Sequence, residues 1–309
     1  MKIVFMGTPE FAVPTLKRLI DHHEVMAVLT QPDRPRGRGQ KMQFSPIKEE
    51  SLKNNIPVYQ PIKLKNDSET IDIIKQIKPD AIVVVAFGQI LPKMVLDIPR
   101  LGCINVHASL LPDLRGAAPI NWAVIRGYSI TGVTTMLMNE GLDTGDMLLK
   151  REIAIEHDDT CEEVHDRLMD LGADLLIETL TGMEGGIITP QRQQEEKSSY
   201  APMLTKELGL INWDQGSADV YNLIRGIIPW PVAYTFYGDK MIKIWRADNN
   251  SKGVYSKPGE ILGLSKDGIE VACRSGSIIL KELQEFGGKR MDAAAYLNGH
   301  EIKKGAILV

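Results

Sequence analysis

The sequence predicts an open, mostly parallel α/β sheet followed by a small antiparallel β-barrel. Three observations carry this expectation. Apolar, strand-like runs alternate with stretches of helical periodicity through the first 190 residues. One of those runs, Ala81-Ile82-Val83-Val84-Val85-Ala86, is apolar at every position, as a central strand covered on both faces must be. After residue 207 short strand-like runs separated by turns take over, the pattern of a small barrel.

Taken in order, Ile3 to Met6 reads as the first strand. Thr8 is placed to cap the helix that follows, with Pro9 at its first position and Glu10 in the first turn, where the positive end of the helix favours a carboxylate. Val25 to Thr30 is the second strand and Glu69 to Ile77 a helix. Ala81 to Ala86 ends in the loop Phe87 to Pro92, Asn105 to His107 is the next strand, and Ala117 to Arg126 a helix. Thr160-Cys161-Glu162-Glu163 is a capping box, in which hydroxyl and carboxylate each satisfy a backbone amide of the first turn. Within the long helix behind it Val164, Leu168, Leu171, Leu175 and Leu180 repeat at roughly helical spacing. Such alternation makes the sheet Rossmann-like, with helices on both sides. The polar, aperiodic stretch from Gln191 to Pro202 reads as a linker, giving a first domain over 1–190, a linker over 191–206 and a second domain over 207–309. In the second, a helix around Ala218 to Arg225 precedes strands near 233–237, 241–246, 259–264, 268–273 and 277–283.

Composition sets compatible bounds. A chain of 309 residues exceeds the usual single core, and 43% hydrophobic with 25% charged residues is an ordinary globular balance. No run approaches 18 apolar residues, and Met1-Lys2-Ile3-Val4-Phe5 does not open a signal peptide, so a cytoplasmic protein is expected. Cys103, Cys161 and Cys273 are odd in number and widely spaced, against both a disulfide framework and a Cys-x-x-Cys metal site. Between Lys206 and Val309 there are 14 basic and 12 acidic residues, leaving 22 and 28 for the first 205. A net charge of −4 does not advertise a nucleic-acid binder, so such binding must come from local patches. The sharpest patch is Arg34, Arg36, Arg38, Lys41 and Lys48. Proline and glycine between Gln31 and Lys41 forbid regular helix or strand there, so a mobile loop carrying several guanidinium groups is expected. The loop suits a solvated surface segment, or equally a clamp on a polyanion through planar guanidinium forks. In the barrel, Lys240, Lys243, Arg246, Lys252 and Lys257 either line a groove or point outward for solubility.

One cluster carries chemistry. Cys103-Ile104-Asn105-Val106-His107 reads as a buried strand, and period-two alternation puts Asn105 and His107 on one face. A polar pair in an apolar strand costs free energy unless it is hydrogen-bonded or used. The strand runs into the turn Ser109 to Gly116, the kind of carboxyl-end loop where open sheets place ligands. A second turn, Asn139 to Asp146, has glycines at 141 and 145 that let it curl and aim Asp143 at His107. Asn105 would donate to a developing oxyanion. His107 would donate when cationic or accept a proton when neutral, with Asp143 favouring the cation and fixing the tautomer. Ser109 lacks the Gly-x-Ser-x-Gly elbow of a nucleophile. A dinucleotide site is disfavoured, because Met6-Gly7-Thr8-Pro9 lacks Gly-x-Gly-x-x-Gly and no acid stands at Thr30-Gln31.

Asn105-Val106-His107-Ala108-Ser109-Leu110-Leu111-Pro112, Arg115-Gly116-Ala117-Ala118-Pro119-Ile120 and Gly141-Leu142-Asp143-Thr144-Gly145 resemble the signature of the folate-dependent formyltransferases. The segment Met6 to Ala12, the basic loop and Trp230-Pro231-Val232-Ala233-Tyr234 extend the resemblance over essentially the whole chain. They narrow it to the branch acting on methionyl-initiator tRNA. The resemblance implies a formyltransferase fold with an OB-like, tRNA-binding C-terminal domain. It further implies transfer of the formyl group of 10-formyltetrahydrofolate to the free amine of that tRNA for translation initiation, with no metal, membrane or obligate protein partner. Asn105, His107 and Asp143 would be catalytic. Ser109, Leu110, Leu111, Pro112, Phe87, Gly88, Gln89, Ile90, Asn139 and Gly141 would form the folate wall, although Phe87 reads equally well as a core aromatic. Arg34, Arg36, Arg38, Lys41, Lys48, Lys243 and Arg246 would contact tRNA. A relative formylating a small amine, a hydrolase using water and a noncatalytic tRNA-binding module are the competing readings. The basic loop and extra barrel speak against the first two, the intact trio against the third.

Overall fold

The computed structural model describes residues 1–36 and 41–309. They form two compact units, one made of Met1–Gly116, Thr131–Ile153 and His165–Tyr200, the other of Ala117–Ile130, Ala154–Val164 and Ala201–Val309. In chain order the first ten strands are β1 (Lys2–Gly7), β2 (Glu24–Leu29), β3 (Arg34–Arg36), β4 (Lys41–Gln43), β5 (Val58–Tyr59), β6 (Ala81–Val85), β7 (Cys103–His107), β8 (Arg115–Gly116), β9 (Ile130–Leu137) and β10 (Met147–Ala154).

Seven of them build one sheet in the order β10-β9-β7-β6-β1-β2-β5. From β5 through β7 every neighbouring pair is parallel, and β9 runs antiparallel to β7. All five residues of β6 are buried, as its unbroken apolar run requires. The chain builds outward from β1 through β2 to β5, then returns to lay β6 on the other flank of β1. The strand order therefore reverses between β1 and β6, which opens a crevice outside their carboxyl ends.

Two local readings are corrected. Thr8 caps no helix: the next turn is a 3₁₀ segment, Glu10–Ala12, leading into the helix Val13–His22. The Thr8 hydroxyl instead donates to the Phe87 carbonyl at 3.2 Å and accepts from the Gln31 amide at 3.3 Å, joining the loops after β1, β2 and β6. The basic segment is also more regular than its proline and glycine content suggests, since β3 and β4 form an antiparallel pair with Arg34 opposite Gln43 and Arg36 opposite Lys41. Pro35 faces Met42 between those pairs. A two-stranded ladder leaves alternate positions without an inter-strand bond, so proline is accommodated there.

After β11 (Tyr200–Ala201), the second unit contributes β12 (Ala233–Tyr237), β13 (Lys240–Val254), β14 (Ile261–Ser265), β15 (Gly268–Ala272), β16 (Ser275–Glu285) and β17 (Met291–Asp292). The sheet order is β12-β13-β16-β15-β14, with β17 beside β16. Residues 305–309 bridge its two edges. Gly305 and Ala306 exchange backbone bonds with Ile261, and Leu308 donates to Gly259, on the β14 side. Val309 exchanges two with Phe236 of β12, at 2.7 and 3.1 Å. This closure, not foreseen from the sequence, removes the exposed edges that an open antiparallel sheet would present. Inside, Ile242, Ile244, Val271, Ile278, Leu280 and Leu308 pack against Val220 and Ile224 of the helix Ser217–Gly226.

That helix also gathers the two segments from earlier in the chain. Asn121 Nδ2 donates to the Gly226 carbonyl at 2.8 Å, the Tyr221 hydroxyl to Asp158 at 2.8 Å and Arg225 to the Asp159 carbonyl at 2.7 Å. The capping box forms as the sequence predicts, with Thr160 N donating to Glu163 Oε2 at 2.7 Å and Glu163 N to Thr160 Oγ1 at 3.3 Å. All three thiols are free and buried, and burial pushes each up to about 12, which leaves them unreactive. Among the described residues no helix is long and apolar enough to cross a membrane.

Because Leu308 is 4% exposed in this core, Leu308→Ala is expected to cost about 2–5 kcal/mol. Urea unfolding of the variant beside the parent chain measures it.

Candidate active site

The ladder sets the first two groups. Asn105 of β7 stands opposite Val84 and Met136, and His107 two residues on stands opposite Thr134. Alternation gives them a common face, as the sequence implies. His107 is 6% exposed and its Nε2 lies 3.0 Å from the Leu114 carbonyl. A carbonyl can only accept, so Nε2 carries the hydrogen and Nδ1 the lone pair. Nδ1 faces Asp143 Oδ1 at 3.7 Å, too far for a hydrogen bond but near enough for an ion pair once the ring takes a second proton. The tautomer is thus fixed by Leu114 and not, as the sequence reading expected, by Asp143. Asn105 is half-buried, and its side chain makes no hydrogen bond among the described residues.

Leu114 can present its carbonyl because its backbone is left-handed, φ +57°. Its amide is held by Asp113 Oδ1 and Ser199 Oγ, both at 3.0 Å. Ser109 donates its hydroxyl to the Asp113 carbonyl at 2.6 Å and is fully buried, so its hydroxyl is committed to the turn.

The second turn is shaped by crowding. Asn139 Oδ1 accepts from Gly141 N and Thr144 Oγ1, each at 2.9 Å. A Cβ at residue 141 would lie 2.2 Å from Thr144 Oγ1, and one at 145 only 1.7 Å from the Leu137 carbonyl. Glycine is required at both positions for room; the left-handed residue is Asp143 itself, φ +52°. Its Oδ2 accepts from Gly116 N at 2.9 Å, which turns Oδ1 toward His107.

Sequence reasoning missed Gln193, which it placed in the linker. Gln193 is 5% exposed and donates to the carbonyls of Asp143 and Gly145, each at 2.8 Å. Its Oε1 accepts from Arg115 Nε at 3.0 Å, and Arg115 forms two 2.9 Å bonds to Glu195. The guanidinium holds the Glu195 carboxyl below its ordinary range. Residues 191–200 therefore strap the two site turns together, a role with no local signal because the partners are 48 to 80 residues away.

The expected folate-wall residues divide by environment. Phe87 is a core side chain, and its carbonyl receives Thr8 and Gln31. Gln89 is spent on the backbone of Pro61 and Leu64. Leu111 packs with Met136 and Met147, while the Lys150 ammonium, its pKa lowered by burial, donates to the Leu111 carbonyl. Gly88, Ile90, Asn139 and Gly141 are exposed, and Leu110 and Pro112 half-buried. Among the basic residues Arg34 is exposed, whereas Lys48 is turned inward to Asp33 and Gln60. Arg36 and Lys41 are described as backbone positions of the hairpin, and Arg38 lies outside the described residues. In β13, Ile242 and Ile244 point inward and Lys243 between them is half-buried, while an irregularity after Ile244 leaves Arg246 exposed.

A carboxamide without a hydrogen bond among the described residues, beside an imidazole that has a carboxylate behind it at the carboxyl edge of an open sheet, suits transfer of a small acyl group. The formyl transferase family model matches residues 1–180 and that of the formyl transferase C-terminal domain residues 203–301, and the chain belongs to this family. Within it, the chain is similar over its whole length to methionyl-tRNA formyltransferases. It is 54% identical over 308 residues to that of Clostridium botulinum (strain Alaska E43 / Type E3) and 55% to that of Clostridium acetobutylicum, covering 100% of this chain and 99% of each relative. The enzyme of Caldanaerobacter subterraneus subsp. tengcongensis is 52% identical over 309 residues, with both chains covered completely. The fold is shared with WlaRD, a sugar 3N-formyl transferase (TM-score 0.69, 18% identity, 91% of this chain and 97% of that one). The N-formyltransferase of Helicobacter canadensis shares it too (TM-score 0.68, 18% identity, 91% and 98%).

Gln193→Leu is expected to leave the Asp143 and Gly145 carbonyls bare, at about 1–3 kcal/mol each. A lower urea midpoint together with a loss of formyl transfer is the outcome to look for.

Proposed function

We propose that this chain transfers the formyl group of 10-formyltetrahydrofolate to the free amine of methionyl-initiator tRNA in the cytoplasm, giving N-formylmethionyl-tRNA for initiation. The observation that carries the reading is the Asn105 carboxamide, without a hydrogen bond among the described residues, standing on one strand face with the His107–Asp143 pair. Identity of 52–55% over the full length to methionyl-tRNA formyltransferases supports the choice of acceptor.

The chemistry follows from the geometry. As the amine attacks the formyl carbon, the carbonyl electrons move onto oxygen, and the Asn105 amide donates to that oxygen where charge develops. His107 keeps its hydrogen on Nε2, so Nδ1 is the atom that accepts the proton released by the attacking amine. The resulting imidazolium is stabilised by Asp143. When the bond from the formyl carbon to the folate nitrogen breaks, that nitrogen takes up a proton, and no side chain is needed as nucleophile. The loops after β6 and β9 fit a flat heteroaromatic donor: they present apolar Ile90 and Leu142, 81% and 57% exposed, beside backbone polar groups. The arginines of the β3–β4 hairpin suit tRNA phosphates, and Lys243 and Arg246 give the C-terminal unit a cationic contribution to the same partner.

Asn105→Ala and His107→Ala are each expected to lower kcat about 100-fold to 1,000-fold with the KM for Met-tRNA nearly unchanged, as groups acting in the transition state do. Substituting Arg34, Arg36 and Arg38 together should instead raise that KM and flatten its dependence on salt, measured between 50 and 200 mM as about 0.9 of a slope unit per lost phosphate contact. Offered Met-tRNA, free methionine and glycinamide ribonucleotide, the chain is expected to formylate the first alone; formylation of a small amine at a comparable rate overturns the assignment.

A further inference from the structure

The crevice at the reversal of strand order holds a cavity of about 320 Å³ that the trio does not line. Its walls come from Thr8 after β1, Gln31 after β2, Gly88 after β6, and Arg34, Gln43 and Phe44 of the hairpin region. We propose that this cavity seats the unpaired adenine at the 3′ end of the aminoacylated acceptor, stacked on Phe44. The proposal rests on the tRNA reading above.

Position supports it first. Strands in a sheet are about 4.8 Å apart, and the order β7-β6-β1-β2 puts the cavity about 10–15 Å along the carboxyl edge from His107. In an aminoacyl-adenosine the reacting amine and the base lie at opposite ends of an ester-linked ribose, a span of that order. One acceptor terminus can therefore reach both places.

The lining chemistry supports it second. Phe44 is 46% exposed, and Lys48 Nζ lies 4.1 Å from its ring centroid while tied to Asp33 and Gln60, so the ring is braced. An exposed, braced aromatic ring is a platform for an unpaired base. Gln31 and Gln43 bring carboxamides, the side chains whose paired donor and acceptor match the N6/N7 edge of adenine. Gln31 is itself positioned by donating through Nε2 to the Phe87 carbonyl at 3.1 Å, which leaves Oε1 for a ligand donor. Arg34 is suited to the preceding phosphate. A site built for an isolated phosphate would bring several cations or convergent amides, and one built for a methionine side chain would be apolar; this lining is neither.

The test uses the full chain with two minimal acceptors, 3′-deoxy-3′-(methionylamido)adenosine and its cytidine counterpart, beside Met-tRNA. With the parent chain, kcat/KM for the adenosine compound is expected to exceed that for the cytidine compound about tenfold or more. Phe44→Ala should remove that preference and raise the KM for Met-tRNA about tenfold, with kcat and the KM for the formyl donor unchanged, and Phe44→Trp should restore both. Thermal unfolding at the parent temperature shows that Phe44→Ala has folded; if it has not, the Phe44→Trp and parent preferences decide. Equal use of the two compounds by the parent chain, or an unchanged KM for Met-tRNA in Phe44→Ala, overturns the proposal. If the parent uses neither compound, the Met-tRNA KM alone decides. A Phe44 dependence that follows replacement of methionine by alanine but not the change of base would assign the cavity to the amino-acid side chain and overturn it equally. Failure of the parent chain to formylate Met-tRNA would defeat the underlying reading instead.

Discussion

The hydrogen bond from His107 Nε2 to the Leu114 carbonyl is the constraint on which the site depends. It commits the ring to one tautomer and directs the basic nitrogen toward Asp143. Everything nearby keeps that acceptor in place. Leu114 sits in a left-handed conformation that costs a branched residue free energy, and the cost is offset by the two oxygens that receive its amide. Ser109 ties the same turn from within through Asp113. With Nε2 bonded to that carbonyl, Nδ1 is the ring nitrogen left without a hydrogen bond among the described residues.

The carboxylate is placed by a different device. The turn carrying Asp143 is compressed until only glycine fits at 141 and 145, and Asp143 itself takes the left-handed backbone angle. Such a turn is held from outside by Gln193, whose amide spans two of its carbonyls, with Arg115 and Glu195 fixing Gln193 in turn. The same arginine belongs to the turn that follows β7. One strap therefore sets both turns, and the 3.7 Å separation of imidazole and carboxylate is a product of the pair.

The sheet adds a second feature along the same edge. Reversal of strand order beside β1 opens a crevice where the loops after β1, β2 and β6 are joined by Thr8 and Gln31. On the proposed reading the trio handles a carbonyl and a proton at the end of β7, while the crevice offers an aromatic ring and amides a few strands away. An extended acceptor that reaches both is oriented before it reacts, which is where much of the rate of a bimolecular transfer arises.

Local periodicity in the sequence was enough for the alternating strands and helices, the capping box at Thr160, the shared face of Asn105 and His107 and the need for glycine in the second turn. Each depends on residues within a few positions of one another, where backbone geometry leaves few choices. The hairpin through Arg34 and Arg36 was missed because proline was weighed without its pairing position, and a Thr8 cap was expected that does not form, because tertiary partners claim the hydroxyl. Only the tertiary structure decided the imidazole tautomer, the strap through Gln193, the inward turn of Lys48 and the closure of the barrel by residues 305–309. Those outcomes rest on hydrogen bonds between residues distant in the chain, and the pairing of such groups is set by the packing that brings them together, not by any pattern in the residues around them.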